Sequence, residues 1–117
     1  GLGEKVGQLK QHGTVEIVTG RSAETVPHAN SWLREHEIPF DGFVRTNSTM
    51  DKVNLNYELF IDDSAELMSS LASKPRCWGV LYLRPWNRRT PEMPRVTKVK
   101  RWDEIPMVLR KIDNTKP

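Results

Sequence analysis

The stretch Glu58-Leu59-Phe60-Ile61-Asp62-Asp63-Ser64 carries the decision about fold. Its apolar run Leu59-Phe60-Ile61 reads as a buried strand, and the run stops abruptly at two adjacent carboxylates. Ser64 is a natural N-cap, which predicts a helix over Ala65–Ala72. A strand feeding directly into a helix is the repeating unit of a parallel α/β sheet. In such sheets ligands bind beyond the carboxyl ends of the strands, so Asp62 and Asp63 occupy the position where chemistry is expected.

The same alternation extends in both directions. Upstream, Leu2, Val6 and Leu9 recur at near-helical spacing and Gly13 terminates that segment. Val15, Ile17 and Val18 form a β-branched run that opens into the turn Thr19-Gly20-Arg21-Ser22, and Ser22 can cap a helix from about Ala23 to His36, with Pro27 early in it. The break Ile38-Pro39-Phe40-Asp41-Gly42 leads to a brief strand Phe43-Val44-Arg45, then a polar turn from Thr46 to Met50, then Asp51 and Lys52. Downstream, Trp78 to Leu83 is the longest strand candidate, and an amphipathic helix starting near Asp103 carries Ile105, Val108, Leu109 and Ile112 on one face. Four strands alternating with helices predict a parallel sheet with right-handed crossovers in one domain spanning residues 1–117.

Composition bounds the function classes. The 117 residues are 37% hydrophobic and 28% charged, with a formal charge of +3. The single cysteine, Cys77, excludes an intramolecular disulfide framework and reads as a small buried hydrophobe. No window approaches the ~18 apolar residues of a membrane span, and no basic-then-apolar leader pattern opens the chain. A cytoplasmic protein without membrane attachment is the expectation. Zinc chemistry is disfavoured, because His12, His28, His36 and Cys77 lack the short spacings of zinc sites. The net charge conceals an asymmetry. Residues 1–73 hold 6 basic and 11 acidic side chains, whereas residues 74–117 hold 12 basic and 4 acidic ones. The basic segment therefore suits an anionic partner.

The strand ends gather a consistent set of polar groups. They are the Thr19 hydroxyl at a helix start, the Lys52 ammonium, the Asp62-Asp63 carboxylates, and Arg88 in the segment Arg84-Pro85-Trp86-Asn87-Arg88. Hydroxyl and free helix N–H groups hold phosphate oxygens, a cation neutralises the charge of a transferring phosphoryl group, and adjacent carboxylates suit Mg²⁺. Trp86, next to Asn87 and Arg88, is the aromatic residue best placed to meet a base or another substrate group.

These motifs resemble the haloacid dehalogenase-like (HAD) superfamily of phosphohydrolases over about residues 2–112. Val15-Glu16-Ile17-Val18-Thr19-Gly20-Arg21 is similar to the family's second motif, Lys52 to the third-motif lysine, and Phe60-Ile61-Asp62-Asp63-Ser64 to the fourth. The short connection after Lys52, together with Asn87-Arg88 and Arg101-Trp102-Asp103-Glu104-Ile105, is most similar to the 5′(3′)-deoxyribonucleotidase branch. The resemblance implies a Rossmann-like three-layer α/β core and a Mg²⁺-dependent phosphomonoester hydrolase acting on a small phosphorylated substrate such as a deoxynucleotide. It assigns catalytic roles to Lys52, Asp62 and Asp63, phosphate binding to Thr19, Gly20, Arg21, Lys52 and Arg88, and the metal to Asp62 and Asp63.

One departure qualifies that expectation. The family's nucleophile and general acid/base form an Asp-x-Asp motif closing a first strand, and the chain has no Asp-x-Asp triplet. In the family's sheet that strand lies between the counterparts of Val15–Val18 and Leu59–Ile61, and a cap follows it. The expectation is thus the later portion of a longer phosphatase, or a natural short form that pairs its strands differently or borrows a strand from a second copy or another partner, in either case inactive alone. The competing expectation is a non-catalytic relative whose basic C-terminal face binds nucleic acid or a protein.

Overall fold

A computed structural model describes residues 2–20 and 24–115, with the side chains of Leu2 and Thr115 outside the described set. The expected Ser22 cap and the phosphate-binding role given to Arg21 therefore fall outside the described residues. The chain is α/β and all its strand pairs are parallel. It divides into two compact units, Gly1–Ser48 and Thr49–Pro117.

In the first unit, α1 (Leu2–Leu9) leads to β1 (Glu16–Thr19), α2 (Val26–Glu35) and β2 (Gly42–Arg45). β1 and β2 form a two-stranded sheet in which Glu16 stands opposite Gly42 and Thr19 opposite Arg45. Val6 and Ile38 are its buried apolar residues. Asp41 fastens the start of β1: its carboxylate accepts from the Val15 N–H at 2.7 Å, its own N–H donates to the Val15 carbonyl at 2.7 Å, and Lys10 lies 3.3 Å away. The Val15 N–H, with Lys10 assisting, holds the Asp41 carboxyl below its usual range. α2 begins three residues later than the expected Ala23, and Pro27 sits in its first turn where a missing N–H is tolerated.

The second unit runs α3 (Thr49–Val53), β3 (Leu59–Asp62), α4 (Ala65–Ser70), β4 (Trp78–Tyr82), β5 (Val96–Val99) and α5 (Ile105–Thr115). Its sheet has the order β3-β4-β5. Ser64 caps α4 as expected, its hydroxyl accepting from the Leu67 N–H at 3.1 Å. α4 and the helical turn after it close onto the sheet, with Leu67, Met68 and Leu71 in a core shared with Val53, Phe60, Cys77 and Leu81. The approach is close at Gly79, where a Cβ would run into Met68 Sδ and come within 3.2 Å of Leu71 Cδ1. α5 buries Ile105, Val108, Leu109 and Ile112, the four positions read from its periodicity, and Trp102 before it packs against Tyr82 with ring centroids 6.0 Å apart.

Three expectations are corrected. The polar turn Thr46–Met50 gives way at Thr49 to α3, because Val53, 2% exposed, buries itself in the core and draws the preceding turn into helical form. The strands number five among the described residues, since β5 was hidden among prolines and cations. It forms because pairing with β4 satisfies the backbone from Val96 to Val99 while Thr97 stays exposed. The single sheet is present as two, because among the described residues β1 pairs only with β2 and β3 only with β4.

Candidate functional site

The carboxyl end of β3 brings three of the expected residues together. Asp62 is the last residue of the strand, and Lys52 on α3 places its Nζ 3.3 Å from Asp62 Oδ2, with both side chains 22% exposed. The other carboxylate oxygen accepts from the backbone N–H groups of Asp63 at 2.7 Å and Ser64 at 3.1 Å. Asp62 is thus fixed from both sides. Asp63 is exposed, yet the part of its carboxyl that is desolvated, and then the Asp62 carboxylate beside it, raise its pKa above the usual range, while Arg84 draws it back.

Asn87 ties the segment after β4 to this turn. The residue is 5% exposed. Its Nδ2 donates to the Asp63 carbonyl at 2.9 Å and the Tyr82 carbonyl at 3.0 Å, and its Oδ1 accepts from the Arg84 N–H at 2.7 Å. The backbone continues the brace, with the Asn87 N–H donating to Arg84 and the Thr90 hydroxyl and N–H donating to the Asn87 carbonyl. Asn87 therefore points inward, and only its neighbours are presented outward. Trp86 is 69% exposed with the Arg84 guanidinium 5.4 Å from its ring centre, and Arg88 and Arg89 are exposed beside it. An asparagine in a turn following a long strand was the available signal for this role; its partners become visible only once β3 and β4 are paired.

In the first unit, Thr19 closes β1 and its carbonyl accepts from the Thr46 N–H at 2.9 Å. Gly20 follows, exposed. The register sets Arg45 opposite Thr19, a cation at the strand end that the local sequence presents only as a strand residue. Thr46 is 5% exposed, and its hydroxyl has no hydrogen-bond partner among the described residues.

Several cations of the basic segment are engaged within the fold. Arg95, at φ 58°, donates to the carbonyls of Cys77, Leu71, Ala72 and Lys74 and so closes the end of the helical segment after α4. Lys74 donates to the Val53 carbonyl at 2.5 Å and to Asn56 at 2.7 Å, and Lys98 holds the Thr90 carbonyl and Glu92. The segment is consequently less available to an outside anion than its composition implies.

The donor set can be tested against Mg²⁺. Among the described residues no group of three or more His, Cys, Asp and Glu side chains could hold a metal ion. Mg²⁺ is usually held by one or two carboxylates with water and phosphate completing the octahedron, and the pair Asp62-Asp63 meets that smaller requirement. No helix among the described residues is long and apolar enough to cross a membrane.

Comparison with known proteins adds one relative. No family model and no solved structure matches the chain. A nucleotidase of Clostridium acetobutylicum is 28% identical over 102 residues, covering 84% of this chain and 52% of that protein. The chain thus spans about half the length of the curated relative it matches, and its similarity is to a nucleotidase.

Proposed function

We propose that this chain carries phosphate- and metal-binding parts of a Mg²⁺-dependent phosphomonoester hydrolase of HAD type, acting on nucleotides. The observation that carries the reading is the Lys52–Asp62–Asp63 cluster at the carboxyl end of β3, with a cation 3.3 Å from one carboxylate and a second carboxylate beside it. Further support comes from Thr19 at the carboxyl end of β1. The similarity to a nucleotidase favours a nucleotide among phosphomonoesters.

In this reading Asp62 and Asp63 hold Mg²⁺, which when bound stabilises negative charge on a phosphoryl oxygen. Lys52, Thr19, Gly20 and Arg21 bind phosphate, and Arg88 reaches an outer phosphate or substrate group. The Asp-x-Asp nucleophile comes from residues other than these 117, in the same protein or in a different partner, so the 117-residue chain alone does not turn over at the rate of a complete enzyme. Calorimetric titration of the chain with Mg²⁺, and with inorganic phosphate in the presence of Mg²⁺, tests the reading. Mg²⁺ binding lost in Asp62→Asn and phosphate binding lost in Lys52→Met are expected; failure to bind either ligand sinks it.

A further inference from the structure

The segment Arg84–Thr90 is braced more heavily than a connecting loop requires. The buried Asn87 amide fastens it both to the strand it leaves and to the Asp63 carbonyl, and Thr90 closes the turn onto the Asn87 carbonyl. That bracing supports a tryptophan ring that is 69% exposed. A large indole left in water on a fixed turn, with a guanidinium 5.4 Å from its centre, offers a flat π surface next to positive charge. Asn87, the next residue along the chain, donates to the backbone carbonyl of Asp63, so the turn that carries the ring is fastened to the backbone at the end of β3.

We propose that Trp86 is a specificity-determining residue that stacks the base of a nucleotide, with Arg84 and Arg88 favouring its anionic form and Asn87 as the positioning residue that fastens the turn carrying the ring to the Asp63 backbone carbonyl. The inference rests on the phosphohydrolase reading for where the phosphate goes. It adds that recognition includes the base and that the second unit supplies it. Base–aromatic stacking is sequence-tolerant because every base has a π-face, so Trp86 distinguishes nucleotides from sugar phosphates more than one base from another.

The test uses the full 117-residue chain with Mg²⁺ and three probes: deoxyadenosine 5′-monophosphate, ribose 5-phosphate and deoxyadenosine. Affinities come from calorimetry and ring contact from the Trp86 indole N–H resonance, assigned by its loss in Trp86→Ala. The nucleotide is expected to bind about 5- to 100-fold more tightly than ribose 5-phosphate and to shift the indole resonance. Trp86→Ala removes that difference without weakening ribose 5-phosphate, and Trp86→Phe restores most of it. Equal affinities for the two phosphates, or a Trp86→Ala variant that weakens both alike, overturns the proposal and leaves the phosphohydrolase reading standing. If neither phosphate binds while deoxyadenosine still shifts the Trp86 resonance, the platform stands and the phosphohydrolase reading falls. If no probe binds, both fall.

Discussion

Lys52 and Asp62 face each other across 3.3 Å at the end of β3, one carried by a short helix and the other by the strand. The pair is only partly sheltered, so its own contribution to stability is about 1 kcal/mol or less. Replacing Lys52 by Met should therefore cost little in a denaturation experiment. The same change should weaken phosphate binding in the presence of Mg²⁺ by about tenfold, which corresponds to losing one charge-assisted hydrogen bond. Calorimetry on the folded variant checks both outcomes.

Asn87 should behave as a structural keystone of the turn rather than as a phosphate ligand. Asn87→Ala leaves the Asp63 and Tyr82 carbonyls and the Arg84 N–H without their partners, and the expected loss is about 2–3 kcal/mol. Asn87→Asp keeps the acceptor toward Arg84 but sets a carboxylate against two carbonyls, so it should be the more damaging change at neutral pH. Urea titrations of the two variants at pH 7 give the order; equal stability of wild type and Asn87→Ala would contradict the bracing role.

The close approach of α4 to β4 makes Gly79 intolerant of any side chain. A methyl group there collides with Met68 Sδ, and Met68 is only 1% exposed and cannot swing into solvent. Gly79→Ala should destabilise the second unit by about 1–3 kcal/mol through overpacking, despite the intrinsic advantage of alanine over glycine in a strand. Thermal melts of the pair check the sign.

Glu104 sets a pH dependence whose direction can be worked out. Its carboxylate accepts from the N–H groups of Lys100 at 2.5 Å and Arg101 at 2.8 Å, and these bonds hold its pKa below the ordinary glutamate value. A depressed folded-state pKa means that the stabilisation is fully present above the unfolded-state pKa and is lost as pH falls through the folded one. Melting temperatures of wild type and Glu104→Gln should differ at pH 7, and the gap should close as the pH drops below the ordinary glutamate range. A gap that widens on acidification would contradict the assignment.

Burial, which pushes the Cys77 thiol up, also makes a kinetic prediction. With 4% exposure and little thiolate at neutral pH, Cys77 should react with a disulfide reagent slowly in the native protein and promptly in denaturant. The rate therefore reports opening of the core around Leu67, Met68 and Leu81.

The sequence by itself determined the local elements. β-branched and apolar runs marked β1, β2, β3 and β4, Ser64 marked the start of α4, and the spacing of Ile105, Val108, Leu109 and Ile112 marked α5, because these signals act within a few residues. It also singled out Thr19, Lys52, Asp62 and Asp63, since strand ends can be found from strand patterns. Only the tertiary structure decided that β5 completes the second sheet, that Arg45 stands opposite Thr19, and that Arg95, Lys74 and Lys98 are engaged by backbone and side-chain partners. It made Asn87 an inward brace and left Trp86 exposed. The reason is common to all of these: each depends on a partner outside its own strand or turn or on the register of a strand pair, and no local pattern of side chains encodes which group will arrive there.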